Sequence, residues 1–528
     1  MTTTAGAGIL VRFMLRQERR GLPWWLIGSG LLVGYQSVGS QDLYGTPEAL
    51  AKLRATMTGN AALLAMSGPE RLLDTIGGEV VFEIFGFLAI LVGLMNMFLV
   101  GRHTRTDEET GRGELIRSTR TGRHAPLVAA LCVAGIADLA VAIVVFGAAA
   151  GTGLPVAGSV LLGAAAAGAG IAFAAMTAVA VQVFENPRSV YGAVGIAIGT
   201  AFVLRAAGDI GNPVWSWLSP IGWGQRTFPY AGDRWWPLVL PLAAGAVLVR
   251  VALILLDRRD FGDGLLPYRP GRATASWALR SPIGLGWRLQ RGSIIGWTAG
   301  LLVLGIAYGS FADSVEEYVA DNPEIAQYLP GGAAEVVNSY LALVILISAL
   351  LAGASAVAGA MRARHEETSG RAEPVLATRV SRRAWLGGHV TVTLAGSAVA
   401  VAAAGLGHGL AYGIAISDPA QALRLAGVAL VQLPAVWLLV AVAVLAIGWL
   451  PRAAASVAWT FVGYCAVVAM FADSFNLPDW SRQASPFVHL PQAPLDTVTA
   501  PPLLIMSALA AAVLTAGFAG LARRDFGY

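Results

Sequence analysis

Lysine is nearly missing from this 528-residue chain: Lys52 stands alone, and every other member of the 36 basic residues is arginine. Charge of either sign is scarce, at 13% of residues where a soluble protein carries roughly 25%. That shortage excludes a disordered chain and argues against a soluble enzyme. Cys132 and Cys465 are the only cysteines and lie far apart, so neither a disulfide framework nor a CxxC metal or redox site is available. Six histidines, without a pair at ligand spacing, leave metal binding and metal catalysis unsupported. No Ser/His/Asp grouping, HExxH or DxD marks a catalytic centre, so no catalytic residue is assigned. What the chain has instead is apolar length: 56% hydrophobic residues and a mean hydropathy of +0.64.

Apolar runs near 20 residues recur throughout, long enough to cross a bilayer as helices. The candidate spans are 22–38, 80–100, 126–149, 155–183, 189–207 and 236–256, then 293–310, 337–361, 385–413, 423–448, 453–472 and 499–521. The sequence therefore predicts an all-α polytopic membrane protein with twelve transmembrane helices. Arg12, Arg16, Arg19 and Arg20 precede the first run in the manner of a signal peptide. No convincing small-x-small cleavage site follows, and the run is read as a retained span.

Orientation follows from the arginines. With the N-terminus inside, the inner segments hold 27 of the 36 basic residues, and the outer connections hold Lys52, Arg54, Arg71, Arg226, Arg234, Arg424 and Arg482. Asp313, Glu316, Glu317, Asp321 and Glu324 crowd one outer loop, and Trp215, Trp217, Trp223, Trp235, Trp236 and Trp480 gather on the outer side as an aromatic belt does. Both termini are expected in the cytoplasm of a multi-pass protein of the cell membrane. The net charge of +4 is thus a topology signal and not a nucleic-acid footprint.

The two halves echo each other. Glu108-Glu109-Thr110-Gly111-Arg112-Gly113-Glu114 returns as Glu366-Glu367-Thr368-Ser369-Gly370-Arg371-Ala372-Glu373, and one inserted residue brings the two into register. Arg258-Arg259-Asp260-Phe261-Gly262 returns as Arg523-Arg524-Asp525-Phe526-Gly527, and Ser219-Pro220 as Ser485-Pro486. Fainter echoes link Asn60–Pro69 with Asn322–Gly331. Six spans being an even number, the repeats are parallel. Residues 1–275 form the first, with loop 101–125; residues 276–528 form the second, with loop 362–384.

Each loop leads with acids and trails with arginines, which complements the dipole of a short helix. Such a helix, with Leu115-Ile116 or Val375-Leu376 at its middle, suits docking a soluble partner; a solvated loop that only fixes topology is the alternative. The pattern resembles the coupling-helix segment of type-2 ABC exporter permeases. In that family an amphipathic elbow precedes six spans, as at Ile9–Arg20 and Pro282–Arg291 here. A fused double-length form is similar to actinobacterial exporters of tetronasin-like polyketide antibiotics and other drugs.

The resemblance implies a permease subunit that moves lipophilic drugs outward, partnered by two copies of an ABC ATPase subunit that bind ATP and Mg. Glu108, Glu109, Glu114, Arg117, Arg120, Glu366, Glu367, Glu373 and Arg379 would couple to them. The chain has no Gly-Lys-[Ser/Thr] phosphate loop, its one lysine lying in Ala51-Lys52-Leu53, so it is not expected to hydrolyse ATP itself.

By the same analogy the route for a hydrophobic small molecule runs between spans two and five of each half. Its candidates are Phe82, Glu83, Asn96, Tyr191, Asn338, Tyr340, Trp459 and Tyr464. Asp138, mid-span, either meets a cationic substrate or a proton, or is a buried neutral or paired carboxyl. Arg205 and Arg250 lie near span ends and can snorkel. The competing reading is a proton-driven twelve-span antiporter. Its short Gly-x-x-x-Asp-Arg-x-Gly-Arg inner loop is not the order found here.

Overall fold

The computed structural model describes residues 3–58, 61–266, 274–313, 315, 335–472 and 477–525. Asn60, Glu316, Glu317, Asp321, Glu324, the segment 322–331, Phe526 and Gly527 lie outside them, so the readings placed there have no structural counterpart. Among the described residues the chain is helical, without a strand beyond the isolated bridge Phe184–Leu266. It divides into two compact units, Met1–Gly271 and Arg272–Tyr528.

The first unit opens with α1 (Ala7–Glu18), whose Leu10, Met14 and Glu18 are buried at four-residue spacing while Ile9 and Phe13 are exposed. Next comes α2 (Leu22–Tyr44), with Pro23 in its first turn, where a missing N–H costs nothing. Its buried stripe is Ser29, Val33, Ser37, Ser40 and Tyr44, and Trp24, Leu31 and Tyr35 point outward. Small polar groups thus face the rest of the unit and large apolar groups face outward. Ser37 Oγ meets Thr152 Oγ1 at 2.6 Å, which fixes α2 to the end of a neighbouring helix.

At the centre stand α3 (Ile76–Gly101) and α5 (Val156–Val183), both buried along most of their length. The peripheral helices are α4 (Ala125–Gly151), α6 (Pro187–Ile210) and α7 (Val239–Arg258). Thr75 caps α3 by accepting from Gly78 N, and Asn186 caps α6 by accepting from Ser189 N.

The second unit contains α8 (Pro282–Gly309), α9 (Val336–Thr368), α10 (Arg382–Ala415), α11 (Gln421–Leu430), α12 (Leu433–Trp449), α13 (Ala454–Phe471) and α14 (Ala500–Arg523). Here α9 and α12 are the buried centre. α8 lies directly on α10: a Cβ on Gly407 would stand 2.3 Å from Leu302 O, an approach only glycine permits.

All twelve predicted segments are helical. Among the described residues ten helices are long and apolar enough to cross a membrane, two fewer than the sequence suggested. α2 and α13 are the exceptions. Serines, glycines and Gln36 dilute α2, and the apolar part of α13, Ala454–Met470, is short. The pattern is that of a multi-pass membrane protein.

Candidate functional site

Loops 101–125 and 362–384 carry an elaborate polar architecture in their respective units. α3 runs on past Gly101 through a π-turn at Arg102–Thr106 and a further turn to Glu109. Gly111, at φ 74°, reverses the chain into the short helix Arg112–Arg117. The loop around Gly370, at φ 71°, turns in the same way into Glu373–Leu376. An L-side chain at either site would enter the left-handed region at a cost of about 1 kcal/mol.

The charges behind these turns do not face outward as a group. Glu108 is gripped by two arginines: Arg105 Nη1 donates to its Oε2 at 2.7 Å, and Arg259 Nη2 donates to its Oε1 at 2.6 Å. Arg105 is 1% exposed, and its other donors take backbone oxygens, Nε to Val181 O at 2.7 Å and Nη2 to Asp263 O at 2.6 Å. Arg259 Nε reaches Gln182 Oε1 at 2.7 Å. Arg123 Nη2 closes the cluster by donating to Arg259 O at 2.7 Å. A cavity of only about 50 Å³ remains beneath the loop, beside Glu108, Arg117, Arg259 and Phe261. The Arg117 guanidinium lies 4.3 Å over the Phe261 ring.

The second unit builds the same object. Arg364 Nη1 stands 2.8 Å from Glu367 Oε2, and Arg524 Nη1 and Nη2 donate to Glu367 Oε1 and Oε2 at 2.5 and 2.7 Å. Arg364 Nε takes Pro451 O at 3.0 Å, and Arg382 Nη1 takes Arg524 O at 2.8 Å. Bidentate, charge-assisted pairs of this kind hold their partners in one geometry.

These contacts correct the register read from the sequence. Arg105, Glu108, Gly111, Glu114 and Arg123 match Arg364, Glu367, Gly370, Glu373 and Arg382 at one constant offset, with no inserted residue. Shared letters aligned Glu108 with Glu366; shared partners align it with Glu367. The nine coupling candidates accordingly separate. Glu366 and Glu367 are buried and Glu108 nearly so, whereas Glu109, Glu114, Arg117, Arg120, Glu373 and Arg379 are exposed, along with Leu115 at 72%.

A further anchor had no signal in the sequence beyond one acid among cations. Glu18, the last residue of α1, accepts from Arg102 Nη1 and meets His103 Nε2, both at 2.8 Å. Burial alone would raise its pKa, but the bonds from His103 and Arg102 outweigh it and hold the carboxyl below the usual range. Backbone bonds from Gly122 N to Ala5 O and from His124 N to Thr3 O, both 2.9 Å, strap the N-terminal segment along the loop.

The pathway candidates are scattered. Asn96 Nδ2 donates to Asp138 Oδ1 at 2.7 Å, both residues being fully buried, so these two do meet. Phe82 is buried and Glu83 half-buried in α3. Tyr191 sits at the start of the loop, its OH 3.2 Å from Thr106 Oγ1 and its ring 5.4 Å from Phe98. Asn338 and Tyr340 lie at the beginning of α9, where Tyr340 OH donates to Tyr308 O at 2.9 Å and Asn338 Nδ2 to Glu335 at 3.3 Å. Tyr464 OH donates to Ser481 O, and Trp459 is 47% exposed.

Arg250 is exposed, but Arg205 does not snorkel. It is fully buried against Asp209 at 3.4 Å and Met66 O at 3.0 Å, because Asp209 supplies a buried counter-charge one turn on. Among the described residues no three His, Cys, Asp or Glu side chains gather to hold a metal.

Comparison with known proteins fits this membrane architecture. Residues 279–521 match the family described as "Multidrug efflux system permease Rv1217c, C-terminal domain". The chain is also 39% identical over 521 residues to the multidrug efflux system permease protein Rv1217c of Mycobacterium tuberculosis (strain ATCC 25618 / H37Rv), covering 98% of this chain and 94% of that protein. With so much identity over nearly the whole of both chains, this protein belongs to the Rv1217c family of multidrug efflux permeases.

Proposed function

We propose that this permease is the membrane subunit of an ATP-binding-cassette exporter, with twelve spans in two parallel six-helix repeats. Separate ATPase subunits, two copies binding ATP and Mg, dock on loops 101–125 and 362–384 and drive lipophilic, polyketide-like drugs out of the cell. Catalysis of ATP hydrolysis lies with those partners and not with this chain.

The observation that carries the reading is the duplicated inner loop: a turn at Gly111 or Gly370 over a carboxylate held by two arginines, presenting Glu114 or Glu373 to solvent. A loop that only fixed topology needs positive charge and no particular shape. Two rigid copies with an exposed rim of acids and arginines suit two copies of one soluble partner.

Helix ends support the span count. Glu18 meets the cytoplasmic end of the helix that began at Ile76, so the chain between them has to climb the same height. α2, at 23 residues and about 34 Å, is the segment able to do it. Likewise Pro451, before α13, and Arg524, after α14, both meet the end of α9, which supports reading α13 as the return path.

The test is reconstitution in liposomes with and without a cassette ATPase. Efflux that needs both the ATPase and ATP supports the proposal. Efflux by the chain alone on a proton gradient would favour the antiporter reading, for which the buried Asp138 is the specific observation.

A further inference from the structure

We propose that the paired-arginine clasps make the last helix of each unit, α7 and α14, part of the coupling element, so that a push on either loop moves that helix too. This rests on reading the loops as cassette-docking sites. The loops are covalently joined only to the second and third spans of their unit, α3 and α4 or α9 and α10. Nothing in the chain's connectivity gives the last helix a share in their motion.

The ion pairs supply it. Arg259 follows α7 immediately, and its guanidinium grips Glu108 while its carbonyl is held by Arg123. Beyond it, Arg105 takes Gly262 O at 3.2 Å and Asp263 O at 2.6 Å, and Phe261 lies beneath Arg117. Leu265 N and Leu266 N then bond to Gln182 O and Val183 O at 3.1 and 2.9 Å, which ties the same strip to the end of α5. The loop and the cytoplasmic ends of α5 and α7 form one hydrogen-bonded body.

In the second unit Arg524 plays the part of Arg259, Arg364 that of Arg105, and Arg382 that of Arg123. Arg364 Nε on Pro451 O, just past α12, repeats Arg105 Nε on Val181 O at the end of α5. The loop sequences differ between the units, yet in each a glutamate lies between one arginine of its own helix and one that follows the last helix. A planar guanidinium with most donors engaged resists shear far better than a solvated charge pair.

The two arginines of each clasp have separable roles. Arg105 and Arg364 pair with their glutamates inside one helix, three residues apart, and spend their other donors on backbone oxygens of neighbouring elements. Arg259 and Arg524 cross between elements and are the positioning residues. Arg259→Gln with Arg524→Gln therefore removes the charged tie to the last helices and leaves the backbone-oxygen bonds from Arg105, Arg123 and Arg382.

The experiment uses the full chain reconstituted with its cassette ATPase. The double variant is expected to retain the ATPase and to hydrolyse ATP at close to the native rate, with drug moved per ATP about tenfold lower. The lysine variants, Arg259→Lys with Arg524→Lys, should recover part of that loss. Should the glutamine variants fail to fold, spin labels at Thr119→Cys and Arg258→Cys in a chain otherwise free of cysteine read the intact clasp directly. Their separation should stay constant between nucleotide-free and ATP-bound states. A label separation that changes with nucleotide, or an unchanged drug-to-ATP ratio in the folded glutamine variant, overturns the proposal. Failure of the unmodified chain to bind the ATPase overturns the docking reading and this proposal with it.

Discussion

At the residue scale, charge in this protein is spent on holding geometry. Glu108 and Glu367 are among the acids at the head of each loop, and the resemblance casts them as coupling residues. Instead each lies between two guanidiniums, where removal of the carboxylate strands buried cations. Glu108→Gln or Glu367→Gln should lower stability by about 3 kcal/mol, seen as a fall in the detergent-solubilised melting temperature. Glu109→Gln, at an exposed position, should change stability by less than about 0.5 kcal/mol.

Glu18 adds a pH dependence. Its pKa is lower in the folded protein than in the unfolded chain, because the bonds from His103 and Arg102 outweigh the opposing effect of burial. Its contribution is therefore complete above the ordinary carboxylate pKa and is lost as pH falls through the depressed value. A spin label at Arg12→Cys should accordingly gain mobility on acidification, and Glu18→Gln should be mobile at every pH.

At the element scale, apolar content and helical interaction are different signals. Sequence marks a span by hydropathy, which finds α3, α5 and α12 readily because each carries a long apolar run. α2 reads more weakly because its buried face is made of serines and its lipid face of Trp24, Leu31 and Tyr35. Close approach is just as invisible to hydropathy: Gly407 has meaning only once Leu302 O of the neighbouring helix is placed against it. Gly407→Leu should force α8 from α10 and abolish folded yield in membranes. Gly111→Ala and Gly370→Ala should each cost about 1 kcal/mol through the left-handed turn, and a calorimetric scan would register it.

For the whole molecule the open quantity is the number of crossings. The proposed count of six crossings in each unit has α2 and α13 span as well, in keeping with the helix ends held together by Glu18, Arg364 and Arg524. A reporter inserted after Thr58 or at Gln492 should then lie outside the cell, and one at Thr119 or Thr378 inside. Accessibility labelling of single cysteines at those four sites checks it. A cytoplasmic signal from Thr58 would remove α2 from the count.

The amino-acid sequence by itself determined the membrane class, the helical content and the existence of duplicated inner loops, because hydropathy, arginine placement and repeated residues are local properties that need no neighbour. It also exposed Arg258-Arg259-Asp260 and Arg523-Arg524-Asp525 as a pair without saying what they hold. Only the tertiary structure decided that Arg259 belongs to Glu108 and Arg524 to Glu367, that the loops align without an insertion, and that Asn96 meets Asp138. Each of the three contacts joins positions 42 to 157 residues apart. An ion pair is chosen by which groups are brought together and desolvated, and letter order carries no record of that choice.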